Sequence, residues 1–154
     1  MAHVLLIQGP NMSYLGKRQP ELYGTTSAAE LDALLIEEAK ELGCTLDIFY
    51  THVEGEAIAR IYKAVEEGFD GLLMNPAGFL YAGYALRDCL NATPHPNVDV
   101  PMTNIDRRGF HSLMAARSDG LIHGLGVQSY LLGLRALVTL IEARSEGKSG
   151  ASPK

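Results

Sequence analysis

One short segment places an arginine and a tyrosine where neither a helix nor a strand is expected. Arg18 and Tyr23 lie in "GKRQPELYG" (16–24), a stretch interrupted by Pro20 and bounded by two glycines. Loop residues of this kind often serve function. A guanidinium close to a phenol favours the phenolate, so an arginine-flanked tyrosine can act as a base. From spacing alone, the alternative is a tyrosine packed beneath the loop with its arginine in solvent.

Two further segments carry polar side chains beside small or turn-forming residues. In "NPAG" (75–78), Asn75 could hold a water molecule or an oxygen that gains negative charge. The small residues after it would let a ligand approach the backbone. The alternative is that Asn75 caps the next helix. Further along, Thr103, Asn104 and exposed backbone N–H groups could receive a carboxylate, although ordinary turn hydrogen bonding would also explain them.

The spacing of the histidines predicts no metal site. The sequence contains five of them, His3, His52, His95, His111 and His123. None forms a metal-ligand spacing with another His, Cys or carboxylate. His111 is nearest the segments above, and His123, inside an apolar stretch, is expected to be a satisfied interior residue. "GLGVQS" (124–129) lacks the glycine spacing of a dinucleotide-binding motif, so we expect no cofactor.

The elements that must position these residues alternate between short apolar runs and longer segments of helical period, which indicates βα units and a parallel sheet. We predict strands or strand ends at "HVLLIQ" (3–8), "TLDIFY" (45–50), "GLLMN" (71–75), "NVDVPMT" (97–103) and "GLIHGLG" (120–126). Helices are predicted between them, within 25–43, 54–68, 83–90 and 127–144. For the first helix, Thr26 or Ser27 can cap the start and Gly43 the end.

This pattern predicts an α/β protein with a three-layer, doubly wound sheet. In such sheets, ligands bind beyond the carboxyl ends of the strands. The rule selects three segments, residues 9–24, 75–81 and 101–112. Tyr23 would therefore lie on the functional edge of the sheet.

Length and composition exclude several classes of protein. The 154 residues suit one domain, which we predict over residues 1–144, with a disordered tail at 145–154. A hydrophobic content of 47%, a charged content of 20% and a net charge of −5 are typical of an acidic globular protein. We expect no nucleic-acid or membrane partner and, because the first apolar run is short, a cytoplasmic location. Cys44 and Cys89 are expected to be reduced core thiols.

Taken together, these segments resemble the type II 3-dehydroquinate dehydratases over about residues 3–140. The matching strings are "GPNMSYLGKRQPELYG", "EGE", "NPAGFLYAGYALRDCL", "TN" and "GLGVQSYLLGLRAL". The resemblance implies a flavodoxin-like fold with a five-stranded parallel sheet and no metal or cofactor. It also implies a homo-oligomer, in which trimers assemble into a dodecamer, and a carboxylated cyclic ketone as the small-molecule substrate.

The resemblance further implies a reaction and the residues that perform it. The family removes water from 3-dehydroquinate to give 3-dehydroshikimate, by an anti elimination through an enolate. Tyr23, with Arg18, would take the proton next to the ketone, and Asn75 would hold a water that stabilises the enolate. The implied binding residues are Asn11 from the first loop, Met102 and Thr103 at the substrate carboxylate, and Asp88 from a neighbouring subunit.

The sequence departs from the family on one side of this site. Pro101 occupies the place of the general-acid histidine, and Asp99 that of the glutamate which orients it. Tyr81 stands for a histidine that contacts the ring hydroxyls, and the family's lid-side arginine aligns with His111 across a gap. Gln8 replaces an asparagine at the end of the first strand. General acid catalysis contributes about 10²–10⁴-fold, so dehydration should be poor unless Tyr81 or His111 supplies the proton.

Three functions stay open on this evidence. The first is dehydration of 3-dehydroquinate. The second is enolisation or isomerisation of a different carboxylated cyclic ketone, which needs the base and the carboxylate site but no acid at position 101. The third is a catalytically silent scaffold, and retention of Arg18 and Tyr23 counts against it.

Overall fold

The five predicted β regions form strands in the computed structural model, which describes residues 1–147. They are β1 (His3–Gln8), β2 (Thr45–Tyr50), β3 (Gly71–Asn75), β4 (Asn97–Asp99) and β5 (Gly120–Leu121). The strands make one sheet in the order β2-β1-β3-β4-β5, and every neighbouring pair is parallel. This order is that of flavodoxin-like doubly wound proteins, so the predicted fold class is confirmed.

Helices cover both faces of the sheet. They are α1 (Pro20–Tyr23), α2 (Ala28–Leu42), α3 (Glu54–Glu66), α4 (Phe79–Ala82), α5 (Tyr84–Ala92) and α6 (Val127–Ser145). Helix α2 begins with a capping box, in which Ser27 Oγ accepts the N–H of Glu30 at 3.1 Å and the Glu30 carboxylate accepts the N–H of Ser27 at 3.2 Å. Of the two predicted caps, Ser27 is therefore the one used.

The core lies in two layers because the central strands are nearly continuous apolar runs. In β1, Val4 and Leu6 pack in the layer with α2 and α6, whereas Leu5 and Ile7 pack in the layer with α3 and α5. Cys44 and Cys89 are buried free thiols, as predicted. No helix within residues 1–147 is long and apolar enough to cross a membrane.

Two predicted strands are shorter than expected. β4 ends at Asp99 rather than at residue 103, because Pro101 has no N–H to continue the ladder. β5 ends at Leu121 rather than at residue 126. Gly124 and Gly126 have φ values of +88° and +59°, which an extended strand cannot contain. The residues that were predicted to continue the two strands form loops at the carboxyl edge of the sheet.

The segment after β1 is ordered, although its sequence predicts neither helix nor strand. Met12–Tyr14 form one turn of 3-10 helix and α1 follows after a short bend. A Cβ on Gly16, whose φ is +90°, would lie 2.9 Å from the Cα of Ser27, so a glycine lets this loop pack against the start of α2. The loop brings Arg18 and Tyr23 to the carboxyl edge of the sheet.

The predicted tail falls mainly outside the described residues. Ser145 is the last residue of α6, and residues 146–147 form a turn. Residues 148–154 lie beyond the described part of the chain. The predicted single-domain organisation and the boundary at residue 144 stay predictions.

Candidate active site

A cavity of about 100 Å³ lies beyond the carboxyl ends of β1, β3 and β4. Its walls come from the loop after β1, from the segment after β3 and from the segment after β4, as the sheet-edge rule predicts. Most of the predicted site residues line it, namely Asn11, Arg18, Tyr23, Asn75, Tyr81, Met102 and Thr103. Asp88 and His111 do not line this cavity.

Arg18 and Tyr23 form a pair at the cavity wall. Arg18 Nη2 donates a hydrogen bond to the Tyr23 phenol oxygen at 3.2 Å, and the guanidinium carbon lies 4.4 Å from the ring centroid. Helix α1 makes this contact possible because Pro20 starts a single turn immediately after Arg18 and Gln19. A cationic donor at a phenol oxygen stabilises negative charge on that oxygen. Arg18 therefore has a partner and is not left in solvent, whereas Tyr23 also packs against the core, as the alternative expected.

Asn75 is held rigidly at the end of β3. Its Nδ2 donates to the Tyr130 hydroxyl at 2.7 Å and lies 3.6 Å from the Met12 sulfur, and its Oδ1 accepts the N–H of Ala77 at 3.0 Å. The residue is only 4% exposed. Helix α4 begins later, at Phe79, without a side-chain cap, so the capping alternative for Asn75 is wrong. The amide is available to the cavity as a donor of fixed direction.

Thr103 acquires a partner that the sequence did not reveal. Arg108 Nη1 donates to Thr103 Oγ1 at 3.0 Å, and the Arg108 guanidinium lies 5.1 Å from the centroid of Phe110. A hydroxyl that accepts this bond keeps its own proton to donate. Within residues 1–147, the backbone N–H groups of Met102 and Thr103 donate to no other backbone group. These groups together form a receptor suited to a carboxylate.

The mouth of the cavity is positively charged although the chain as a whole is acidic. Arg108 also borders an adjoining open groove of about 440 Å³, together with Arg107, Tyr23 and Thr103. Within the described residues, Arg18, Arg107 and Arg108 form no ion pair with a carboxylate. Unpaired guanidiniums around a cavity favour the entry of an anionic ligand.

Pro101 lines the cavity, whereas Asp99, at the end of β4, is buried and does not line it. Asp99 is fully buried, and burial raises the pKa of its carboxyl to about 7, while the nearby Ser118 hydroxyl opposes part of that rise. Its oxygens make no hydrogen bond of normal geometry within residues 1–147, so the electrostatic influence of Ser118 does not amount to a partner. Because Asp99 does not line the cavity, it cannot pass a proton directly to a ligand there.

The two candidate proton donors differ in position. Tyr81 lines the cavity, is 50% exposed and has its ring 4.9 Å from that of Phe110 in an edge contact. His111 is exposed and does not line the cavity, and its predicted role in binding the ligand stays a prediction. Arg108, three residues before His111 in the sequence, places a guanidinium at the cavity wall. Asp88 is exposed on α5, and its predicted role across a subunit boundary stays a prediction.

Histidines contribute to the site as hydrogen-bond acceptors. His52 Nδ1 accepts the N–H of Asn11 at 3.0 Å, and Asn11 has a φ of +71°, a left-handed conformation that asparagine tolerates. His123 Nδ1 accepts the N–H of Ile105 at 3.3 Å, so this histidine has a partner as expected, but it is only half-buried and lies beyond the end of β5. Within residues 1–147, no three His, Cys, Asp or Glu side chains are grouped to hold a metal ion.

The fold and this cavity define an α/β protein with a polar, cation-rimmed site at the carboxyl edge of a flavodoxin-like sheet. The family model for class II dehydroquinases matches residues 2–138. A 3-dehydroquinate dehydratase of Xanthomonas oryzae pv. oryzae (strain PXO99A) is 39% identical over 145 residues, which are 92% of this chain and 98% of that enzyme.

Solved structures agree with the family match. The type II dehydroquinase from Propionibacterium acnes superposes with a TM-score of 0.85 at 34% identity, over 90% of this chain and 97% of that one. A 3-dehydroquinate dehydratase-like protein from Bifidobacterium longum superposes with a TM-score of 0.69 at 26% identity, over 92% and 99% of the two chains. The chain therefore belongs to the class II dehydroquinase family, and the predicted resemblance is confirmed.

Proposed function

We propose that this protein dehydrates 3-dehydroquinate to 3-dehydroshikimate through an enolate, with Tyr23 as the base. The observation that carries the proposal is the Arg18–Tyr23 hydrogen bond at the wall of a cavity that also contains the fixed amide of Asn75. The 3-dehydroquinate dehydratases among the relatives support the choice of substrate.

The cavity orients the substrate by its carboxylate. In this proposal, the hydroxyl of Thr103 and the backbone N–H groups of Met102 and Thr103 hold the carboxylate, and Arg108 adds positive charge beside it. Binding of the carboxylate fixes the substrate ring between the loop after β4 and the loop after β1, so that the carbon next to the ketone can face Tyr23. Such positioning supplies a large part of enzymatic rate enhancement.

Proton removal comes first. The Tyr23 phenolate, stabilised by the Arg18 guanidinium, takes the proton from the carbon next to the ketone, and the electrons of that C–H bond form the enolate. Asn75 Nδ2 then donates toward the enolate oxygen, directly or through a water. A preorganised donor at a developing oxyanion is commonly worth about 10²–10³-fold in rate.

Loss of hydroxide completes the reaction. As the enolate reforms the ketone, the C–O bond breaks and the departing oxygen takes a proton, giving water and the conjugated enone. Pro101 has no proton to give, and of the two predicted donors only Tyr81 lines the cavity. We therefore assign the general acid to Tyr81. Tyr23 and Tyr81 exchange protons with solvent to return to their starting states.

Pro101 favours a second candidate function, the enolisation or isomerisation of a different carboxylated cyclic ketone. That reaction uses the Tyr23, Asn75 and Thr103 groups and needs no acid at the position of Pro101. A silent scaffold, in contrast, would have no use for a cationic donor placed at 3.2 Å from a phenol oxygen. The geometry therefore favours the two enzymatic candidates.

Assembly completes the proposal. Asp88 is exposed on α5 and lies outside the cavity lining of its own chain. We propose that it reaches the cavity of a neighbouring subunit in a trimer-based homo-oligomer. An Asp88→Asn variant should keep its oligomeric mass, measured by analytical ultracentrifugation, and lose activity. A wild-type monomer with full activity would contradict this part of the proposal.

The test is to add 3-dehydroquinate to the purified protein and follow the ultraviolet absorbance of the enone product. Tyr23→Phe should lower kcat by about 10²–10⁴-fold, the usual contribution of a general base. Tyr14→Phe is the matched control, because Tyr14 belongs to the same loop, is 60% exposed and does not line the cavity. Tyr81→Phe should also lower kcat.

Each outcome separates the candidates. Turnover that Tyr23→Phe abolishes and Tyr14→Phe leaves intact would support dehydration. No enone from a folded wild-type protein would refute dehydration and leave the second candidate, tested with other carboxylated ketones. Full activity in Tyr81→Phe would refute its role as the acid.

A further inference from the structure

Polar side chains continue beneath Asn75 into the core. Asn75 Nδ2 donates to the Tyr130 hydroxyl at 2.7 Å, and that hydroxyl donates to Gln8 Oε1 at 2.7 Å. Gln8 ends β1, Asn75 ends β3 and Tyr130 lies in the first turns of α6. The chain of hydrogen bonds therefore links the two central strands to the helix that covers them.

These groups are buried where apolar side chains would pack without difficulty. Gln8 and Tyr130 are 0% exposed. Buried polar groups that bond to one another rigidify a site, and a half-satisfied group is costly. Gln8 Nε2 makes no hydrogen bond of normal geometry within residues 1–147, although the Tyr50 hydroxyl lies near enough for Gln8 to influence its pKa.

The hydrogen bonds run in one direction. A tyrosine hydroxyl has one proton, and here Gln8 Oε1 receives it. The oxygen of Tyr130 can therefore only accept from Asn75, which forces the NH₂ side of the Asn75 amide toward Tyr130. Ala77 fixes the opposite side by donating its N–H to Asn75 Oδ1. Neither end of the amide can be exchanged without losing a hydrogen bond.

This arrangement decides where the second N–H of Asn75 points. With one N–H directed to Tyr130, the other lies on the side of the Met12 sulfur, 3.6 Å away, which is also part of the cavity wall. A thioether is a weak acceptor that a charged oxygen readily replaces. Burial raises the pKa of Tyr130, so its hydroxyl stays neutral and keeps the proton on which this orientation depends.

We propose that Tyr130 and Gln8 are positioning residues that aim the second N–H of Asn75 at the oxygen of the enolate. The inference rests on the proposed function, because it gives Asn75 an oxyanion to stabilise. It predicts that a substitution at Gln8, which does not line the cavity, changes the orientation of Asn75, which does. Removing the acceptor at Gln8 leaves Tyr130 free to donate its proton to Asn75, where it would compete with the Ala77 N–H for the amide oxygen and loosen the direction of the donor.

The experiment compares Tyr130→Phe and Gln8→Leu with Ser129→Ala. Ser129 is 0% exposed and is the neighbour of Tyr130 in α6, and its hydroxyl oxygen accepts the N–H of Leu125 at 3.0 Å without a link to Asn75. Turnover of 3-dehydroquinate should show kcat lowered about tenfold or more in the first two variants, with KM within about threefold. Ser129→Ala should keep kcat within about twofold of wild type.

A second readout needs no substrate. In protein labelled with ¹⁵N-asparagine, the Asn75 side-chain amide signal, assigned with Asn75→Asp, should shift and exchange faster with solvent in both Tyr130→Phe and Gln8→Leu, and stay unchanged in Ser129→Ala. If these signals change as expected but the wild-type protein does not turn over 3-dehydroquinate, the positioning inference stands and the proposed function is refuted. Unchanged amide signals, or turnover with wild-type kcat in either variant, would overturn the inference. If one variant does not fold, the other decides.

Discussion

Asp99 should make the protein less stable as the pH rises, and Asp99→Asn should remove that dependence. The carboxyl is fully buried, and its pKa is raised from 3.8 to about 7 by desolvation. Between these two values the unfolded chain ionises Asp99 while the folded chain keeps it protonated. Ionisation therefore stabilises the unfolded state only, and the free energy of unfolding falls as the pH rises through this window.

The size of the effect follows from the difference between the two pKa values. At about 1.4 kcal/mol per pH unit, the full window amounts to about 4 kcal/mol. Asp99→Asn should be close to wild type in stability near pH 4 and more stable than wild type at pH 8. Urea unfolding at a fixed subunit concentration, across this pH range, measures the difference.

Asp119→Asn is the matched comparison for this test. The Asp119 side chain is also 0% exposed, but it accepts Arg144 Nη2 at 2.9 Å and the N–H of Asn97 at 2.8 Å. Its carboxylate is paired, so its replacement should destabilise the protein by about 1–3 kcal/mol at pH 8. A stability gain for Asp99→Asn that does not change with pH, or a loss at pH 8, would refute the assignment of a buried, protonated carboxyl.

Three further predictions concern a cap, a glycine and the carboxylate receptor. Ser27→Ala removes the capping box and should cost about 1 kcal/mol in urea unfolding. Gly133→Ala would place a Cβ closer to the Val100 side chain than any normal packing distance, so it should lower the free energy of unfolding by about 1–3 kcal/mol. Gly55→Ala adds a Cβ in open space and should leave the free energy of unfolding unchanged or raise it by up to about 1 kcal/mol. Arg108→Ala should raise KM about tenfold with a smaller change in kcat, and Arg135→Ala, which lies outside the cavity lining, should leave both unchanged. Equal stability for the two glycine variants, or equal KM for the two arginine variants, would contradict these assignments.

Local patterns in the sequence were sufficient for the sheet and for part of the site. Apolar runs alternating with helical segments predicted the five strands, and the sheet-edge rule then selected the loops that line the cavity. Arg18 and Tyr23 could be predicted as a pair because α1 is a single turn, so residues close in sequence are also close in space.

Other features depended on contacts between distant parts of the chain. Gln8 and Tyr130 are separated by 122 positions and meet only because α6 covers the end of β1. Arg108 could not be identified as the partner of Thr103, because the loop that joins them has no periodic pattern. The early ends of β4 and β5, in contrast, could have been predicted from Pro101 and from Gly124 and Gly126. The apolar character of both runs favoured longer strands instead.

The central claim is that Tyr23, supported by Arg18, removes the proton next to the ketone. The most direct measurement is proton NMR of 3-dehydroquinate in D₂O with wild type, Tyr23→Phe and Tyr14→Phe. Wild type and Tyr14→Phe should deplete the signal of the hydrogens next to the ketone and produce the enone, and Tyr23→Phe should do neither. Depletion by Tyr23→Phe at the wild-type rate, or a wild-type protein that leaves these hydrogens untouched, would contradict the claim.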